Sequence, residues 1–222
     1  MLLYPTETIY ALGVNALNEA AVQLLYKTKG RVPENPVSLL VRNEADIAKY
    51  AHVNDTAHQI ISKLLPGPLT IVLPAKENVP DYLQKDGFIS FRISSDRTAQ
   101  QVIAAHMRDY QAPLTCTSAN HSGQPPQSTP AEICTQLGEL ASNIKTVHDD
   151  GPRSGTPSTV LLITDSDWQI IREGAIDKNV ISHSIATHLW INHTNNRPIH
   201  RYDFFGMYCG HINDGLFRRW LV

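Results

Sequence analysis

No apolar run in this 222-residue chain approaches the roughly 20 residues needed to cross a bilayer; the longest, such as SLLV at 38–41 and TVLLI at 159–163, are strand-length. No membrane partner is therefore expected. Cysteine is scarce: Cys116, Cys134 and Cys209 are an odd number at long spacings, which argues against a disulfide framework and fits a reducing compartment. The first residues show no basic stretch followed by an apolar segment and cleavage site, so a cytoplasmic location is expected. Excess charge is missing too, since 19 Lys+Arg stand against 21 Asp+Glu. Residues 1–176 are more acidic, with 14 Lys+Arg against 18 Asp+Glu. Broad electrostatic attraction to nucleic acid needs an excess of cations. Any phosphate site must be a local gathering of cations on an acidic body. Neither G-x-x-x-x-G-K-[ST] nor G-x-G-x-x-G occurs, so a nucleotide would be held more by side chains than by a glycine-rich backbone cradle.

What the chain has is the composition of an ordinary globular protein, 42% hydrophobic and 18% charged, enough for one substantial core and an appendage. Asn18 followed by EAAVQLLYKTKG predicts a helix, capped by Asn18 and stopped by Gly30 in a left-handed conformation. That places Lys29 and Arg31 at a helix-to-loop corner, where long side chains can project into a cleft. Strands are expected at 37–41, 70–73, 88–93, 113–116, 159–163 and 169–172, and helices at 55–65, 98–107 and from the Thr129-Pro130-Ala131-Glu132 capping box to about 140. In the 88–93 strand, alternation puts Ser90 and Arg92 opposite Phe91 and Ile93. Thr6, Thr8 and Tyr10 read as alternate positions on one face of a first strand, where threonine is also a favoured strand former. Strands interleaved with helices favour an α/β sheet of mixed direction.

Two pairs of residues carry the chemistry. Lys29 offers a point charge and Arg31 a planar fork that grips two phosphate oxygens, although a helix C-terminus also favours cations for its own sake. Ser118 and Asn120 flank a small alanine, and in an extended turn their side chains point to the same side, although both types also serve ordinary loop capping. Cys116 has no histidine partner in sequence and reads as a small buried residue.

In order along the chain, YPTETIYALG (4–13), KGR (29–31), PGPLT (66–70), SAN (118–120), STV (158–160) and IIREG (170–174) resemble the YrdC family of threonylcarbamoyl-AMP synthases. The resemblance implies a YrdC-like twisted mixed α/β sheet with helices around a concave active site, formed by a catalytic domain over 1–176. It implies synthesis of L-threonylcarbamoyl-AMP from L-threonine, bicarbonate and ATP with release of pyrophosphate, Mg2+ accompanying ATP, for threonylcarbamoyladenosine modification of tRNA with downstream modification proteins. Lys29, Arg31, Ser118 and Asn120 match the family's catalytic set. Asn35, Ser128 and Arg172 match nucleotide contacts alongside Lys29, Arg31 and Asn120, while Thr8, Arg92, Ser118 and Ser158 match the threonine site; a surface ion pair is the competing role for Arg92. Three departures stand out: Ala11 replaces a glycine, Ser94 a proline, and Leu40 a position often held by histidine in relatives.

Only three residues precede the YPT segment, where relatives have a helix and a strand start, so a shortened sheet edge is expected. Residues 177–222 form an atypical extension holding 5 of the 10 histidines, with a possible helix near 180–189. His193, His200, Cys209 and His211 lack the paired short spacings of a structural zinc site, and no confident metal ligand is read in the chain. Two other readings remain: a non-catalytic module of this fold with RNA contact, and a carbamoyl-adenylate-handling domain of hydrogenase maturation.

Overall fold

Each helix is placed by its first and last residues. A computed structural model of the chain describes residues 1–32 and 35–186. Asn18 accepts from the Ala21 amide at 3.0 Å to open α1 (Glu19–Lys29), and Gly30, at φ +60°, closes it. A side chain is barred at Gly30 twice over, because that φ disfavours one and a Cβ would come within 2.7 Å of the His121 ring. Asn43, Asn54 and Asp96 cap α2 (Glu44–Ile47), α3 (Asp55–Leu64) and α4 (Arg97–Tyr110) in the same manner. Thr129 and Glu132 form the expected capping box of α5 (Pro130–Leu137). That helix stops short of 140 because Gly138 takes φ +57°, and a 3-10 segment follows over Gly138–Asn143.

The strands are β1 (Leu2–Tyr4), β2 (Ala11–Gly13), β3 (Ser38–Leu40), β4 (Leu69–Pro74), β5 (Phe88–Arg92), β6 (Leu114–Ser118), β7 (Thr146–Val147), β8 (Thr159–Ile163) and β9 (Trp168–Arg172). They form one sheet in the order β7-β1-β2-β6-β3-β5-β4-β8-β9. The sheet is mixed: β1/β7, β3/β5 and β4/β8 run parallel and the other neighbours antiparallel. β1 starts at Leu2 and is flanked on its outer side by β7, so the YPT strand is not itself the edge.

The two faces of this sheet differ. Alternate residues Leu12, Leu39, Val41, Ile71, Leu73, Ile89, Phe91, Leu161 and Ile163 pack under α1, α3, α5 and α6 (Lys178–Ala186) as the main core. Full burial of side chains of this size contributes roughly 1.5–3 kcal/mol each. On the other face a smaller cluster of Tyr4, Ala11, Leu40, Leu114 and Cys116 packs under Ala99, Val102, Ile103 and Met107 of α4. α4 covers only part of that face, and the uncovered part is polar.

Ala11 is accommodated without strain: it sits in β2 opposite Tyr4 and Ser118 and is not among the positive-φ residues. Thr6 and Thr8 are not in a strand, contrary to the alternation reading. The Thr6 hydroxyl donates to the Ile9 carbonyl at 2.6 Å and accepts from the Thr8 and Ile9 amides at 3.3 Å, so local side-chain bonds turn the backbone between β1 and β2. The first part of the C-terminal extension joins the body: Ile181 of α6 is fully buried, and Gln59 and Lys63 of α3 both donate to the Ser184 carbonyl. The remainder, including His193, His200, Cys209 and His211, lies outside the described residues. Among the described residues, no helix is long and apolar enough to cross a membrane.

Candidate active site

Lys29 is 1% exposed, so the end of α1 turns its ammonium inward rather than to solvent. Its Nζ donates to the Ser118 carbonyl, to the Asn120 carbonyl at 2.8 Å and to Asn120 Oδ1 at 3.2 Å. An ammonium has three donors, and all three are used by the turn that follows β6. Asn120 Oδ1 also accepts from the Ser118 hydroxyl, and its Nδ2 donates to the Gln124 carbonyl. Lys29 is thus joined in one bonded unit with the sequence-distant Ser118 and Asn120, whose side chains meet as expected. Burial, followed by repulsion from Arg31, lowers the Lys29 pKa to about 7. Among the described residues, no carboxylate is bonded to it to hold the proton.

Arg31 folds back on its own loop, Nε donating to the Asn35 carbonyl at 2.8 Å and Nη2 to the Pro36 carbonyl at 3.2 Å. The Asn35 side chain is bonded to Lys85 Nζ at 3.0 Å. Arg172, at the end of β9, donates to the Ser158 carbonyl at 2.9 Å and reaches the Ser158 hydroxyl at 3.4 Å. Surrounding protein, then repulsion from Arg92 and Arg31, holds its pKa below the usual arginine range. Arg92 of β5 and Arg31 of the loop after α1 are thus near enough to act electrostatically on Arg172.

The floor between them is the uncovered part of the sheet face. Ser158 and Thr70 hydroxyls meet at 2.8 Å, and Ser90 donates to Ser38 at 2.9 Å. Arg92 is buried and its Nη2 is paired with Glu7, whose other carboxylate oxygen accepts from Ser94. An ion pair is therefore part of this residue's environment, and it is buried rather than on the surface. Thr8 lies next to Glu7 in the β1–β2 turn, its hydroxyl 3.0 Å from that of Thr6.

Ser128 is farther along, in the loop before α5, where its carbonyl accepts from the Arg153 amide at 2.8 Å. Arg153 also holds the Thr6 carbonyl, Asp96 and Asp150, so it ties the Ser128 loop to the turn bearing Thr8. Leu40 is fully buried under α4. Cys116 is buried as well, and burial raises its thiol pKa, which disfavours a thiolate. Sequence reasoning gave no site role to Glu7, Thr70 or Arg153, and noted Ser94 only as a replacement for proline. Glu7 and Thr70 lie inside YPTET and PGPLT, but nothing local reveals that one pairs with Arg92 and the other with Ser158.

A sequence profile of the Sua5/YciO/YrdC family, described as telomere recombination, matches residues 1–174. The chain belongs to this family. A Methanocaldococcus jannaschii member, provisionally named threonylcarbamoyl-AMP synthase, is 41% identical over 172 residues, 77% of this chain and 78% of its own length. The Bacillus subtilis threonylcarbamoyl-AMP synthase is 33% identical over 80% of this chain and 51% of its own. Among solved structures, that of Pyrococcus abyssi Sua5 complexed with L-threonine superposes with a TM-score of 0.74 at 28% identity, covering 83% of this chain and 53% of that one. The chain spans about half the length of these last two relatives. The family's twisted mixed α/β fold is the fold seen here.

Proposed function

We propose that this domain is a cytoplasmic nucleotidyltransferase that makes L-threonylcarbamoyl-AMP from L-threonine, bicarbonate and ATP, releasing pyrophosphate, for threonylcarbamoyladenosine modification of tRNA by downstream proteins. The observation that carries the reading is the bonding of Lys29 to Ser118 and Asn120, about ninety residues away, with Arg31 near enough to act on its charge. The names of the relatives and the threonine complex of the P. abyssi protein support it.

The chemistry has two steps. The neutral threonine amine adds to CO2 with loss of a proton, or to bicarbonate with loss of water, to give a carbamate, and a carbamate oxygen then attacks the ATP α-phosphorus in line and expels pyrophosphate. The second nucleophile is already anionic, so positioning and charge stabilisation are the main tasks. Arg31 and Arg172 offset phosphate charge, with Asn35 and Ser128 as further nucleotide contacts. Lys29 adds a buried positive charge and holds the Ser118–Asn120 turn. Thr8, Arg92, Ser118 and Ser158 form the threonine side.

Among the described residues, no group of three or more His, Cys, Asp or Glu is arranged to hold a metal. Mg2+ would accompany ATP and neutralise part of the phosphate charge. Pyrophosphate release from ATP, with threonine and bicarbonate omitted in turn and the nucleotide product identified, tests the reading. Release that requires all three substrates is expected; salt-dependent RNA binding without it overturns the proposal.

A further inference from the structure

The polar part of the sheet face and its rim have two electrostatic zones. Among the described residues, the bonds of Lys29, Arg31 and Arg172 go to carbonyl and hydroxyl oxygens, so no carboxylate there offsets their charge. Arg92 differs. Its charge is compensated by Glu7, with side-chain exposures of 7% and 15% for the two partners, and Glu7 is held from its other side by the buried hydroxyl of Ser94.

This pair is incomplete in hydrogen-bonding terms. A carboxylate offers about four acceptor positions, of which Arg92 and Ser94 occupy two. Among the described residues, Arg92 Nε is buried and has no partner, and leaving a buried charged donor unbonded is unfavourable. An anion with no accompanying cation gains little from a site whose charge is already balanced, and it meets the Glu7 carboxylate at close range. A ligand carrying both signs on adjacent atoms fits better, because its carboxylate can take the Arg92 donor while its ammonium takes the open Glu7 positions.

We propose that Glu7 is the specificity-determining residue of the amino-acid subsite, selecting a zwitterionic α-amino acid over a plain carboxylate anion. The proposal rests on the reading that Arg92 and Thr8 line the threonine side of the site. It separates the substrates by charge: ATP is drawn to the uncompensated cations, and bicarbonate and other simple anions are kept from occupying the amino-acid position. Ser94 has a part in this, since its hydroxyl fixes the carboxylate against which the ammonium is placed.

Calorimetric titrations of the wild-type protein, with a non-hydrolysable ATP analogue present, should compare L-threonine with 3-hydroxybutyrate, which lacks the amine, and with 2-amino-1,3-butanediol, which lacks the carboxylate. Threonine is expected to bind at least about tenfold tighter than either. In Glu7→Gln, threonine should weaken while 3-hydroxybutyrate holds or tightens, because Arg92 is now uncompensated, closing the gap between them to within about threefold. A structural role alone would weaken both ligands together. Equal binding of threonine and 3-hydroxybutyrate by the wild type, or an unchanged gap in Glu7→Gln, overturns the proposal. If the variant does not fold, the wild-type ligand series decides. Binding of the ATP analogue with no binding of any of the three small ligands overturns the amino-acid substrate reading itself, and this proposal with it.

Discussion

Two parts of one sheet face, sharing β3 and β6, have opposite chemistry. Where α4 lies over the sheet, β1, β2, β3 and β6 present Tyr4, Ala11, Leu40, Leu114 and Cys116, an apolar layer closed to water. Beyond the helix, β3, β5, β4, β6 and β8 present Ser38, Ser90, Arg92, Thr70 and Ser118, with Ser158 just before β8, hydroxyls and a cation joined by side-chain bonds. Cys116 and Ser118 are two residues apart on β6, yet one is packed and the other takes part in the Lys29 unit. What separates them is the reach of α4, set by the Asp96 cap at one end and Gln111, at φ +53°, at the other. Arg92 and Glu7 stand at the border, close enough for both to act electrostatically on Tyr4 and Cys116.

The largest test of that division is at Lys29. Lys29→Met should lower adenylate formation at least about tenfold, and Arg31→Ala likewise, whereas Cys116→Ala on the covered part should leave turnover near normal. Pyrophosphate release measures all three, and near-normal turnover by both cation variants would remove their assigned roles. Lys29→Met should also lower the melting temperature, since three carbonyl acceptors lose their donor.

Next in size is a pH effect. The folded-state pKa of Lys29, about 7, lies below its ordinary value of 10.5, so the unfolded chain binds more protons between those limits. Stability of the free protein from this group should rise as pH increases through 7, the cost of burying the charge being fully present below it. Bound polyphosphate would hold the proton on, so ATP affinity should fall with rising pH above 7, by up to about tenfold per unit. Calorimetry in buffers of different ionisation enthalpy at pH 8 should show proton uptake on ATP binding, absent in Lys29→Met.

Smaller effects sharpen the border. Leu40→His places a polar ring in the covered layer and should destabilise by about 1–3 kcal/mol in denaturant titration, because Leu40 belongs to a buried cluster with Ala99, Val102, Ile103 and Met107 of α4. Thr129→Ala removes half of the α5 capping box and should cost about 1 kcal/mol in the same titration, with little change in the KM for threonine.

Much of the fold was legible because its signals are local. The Asn18 and Thr129 caps, the Gly30 stop and the alternation of 88–93 each depend on a few neighbouring residues, and each is found as read. The failures have local causes of another kind: the Thr6 hydroxyl outcompetes strand bonding, and the backbone conformation of Gly138 ends α5 early. At the site, Lys29, Arg31, Ser118 and Asn120 stood out by their spacing and by resemblance, but Glu7 did not. A carboxylate between two threonines has no mark in sequence until Arg92, 85 positions away, is brought against it.

The order of residues alone determined where the chain turns, which side of each strand is apolar, and which side chains could meet a phosphate, because caps, periodicity and donor types act over a few bonds. Tertiary structure decided which cations keep their charge and which are balanced. That choice depends on burial and on partners from distant strands, through forces that act across space rather than along the chain.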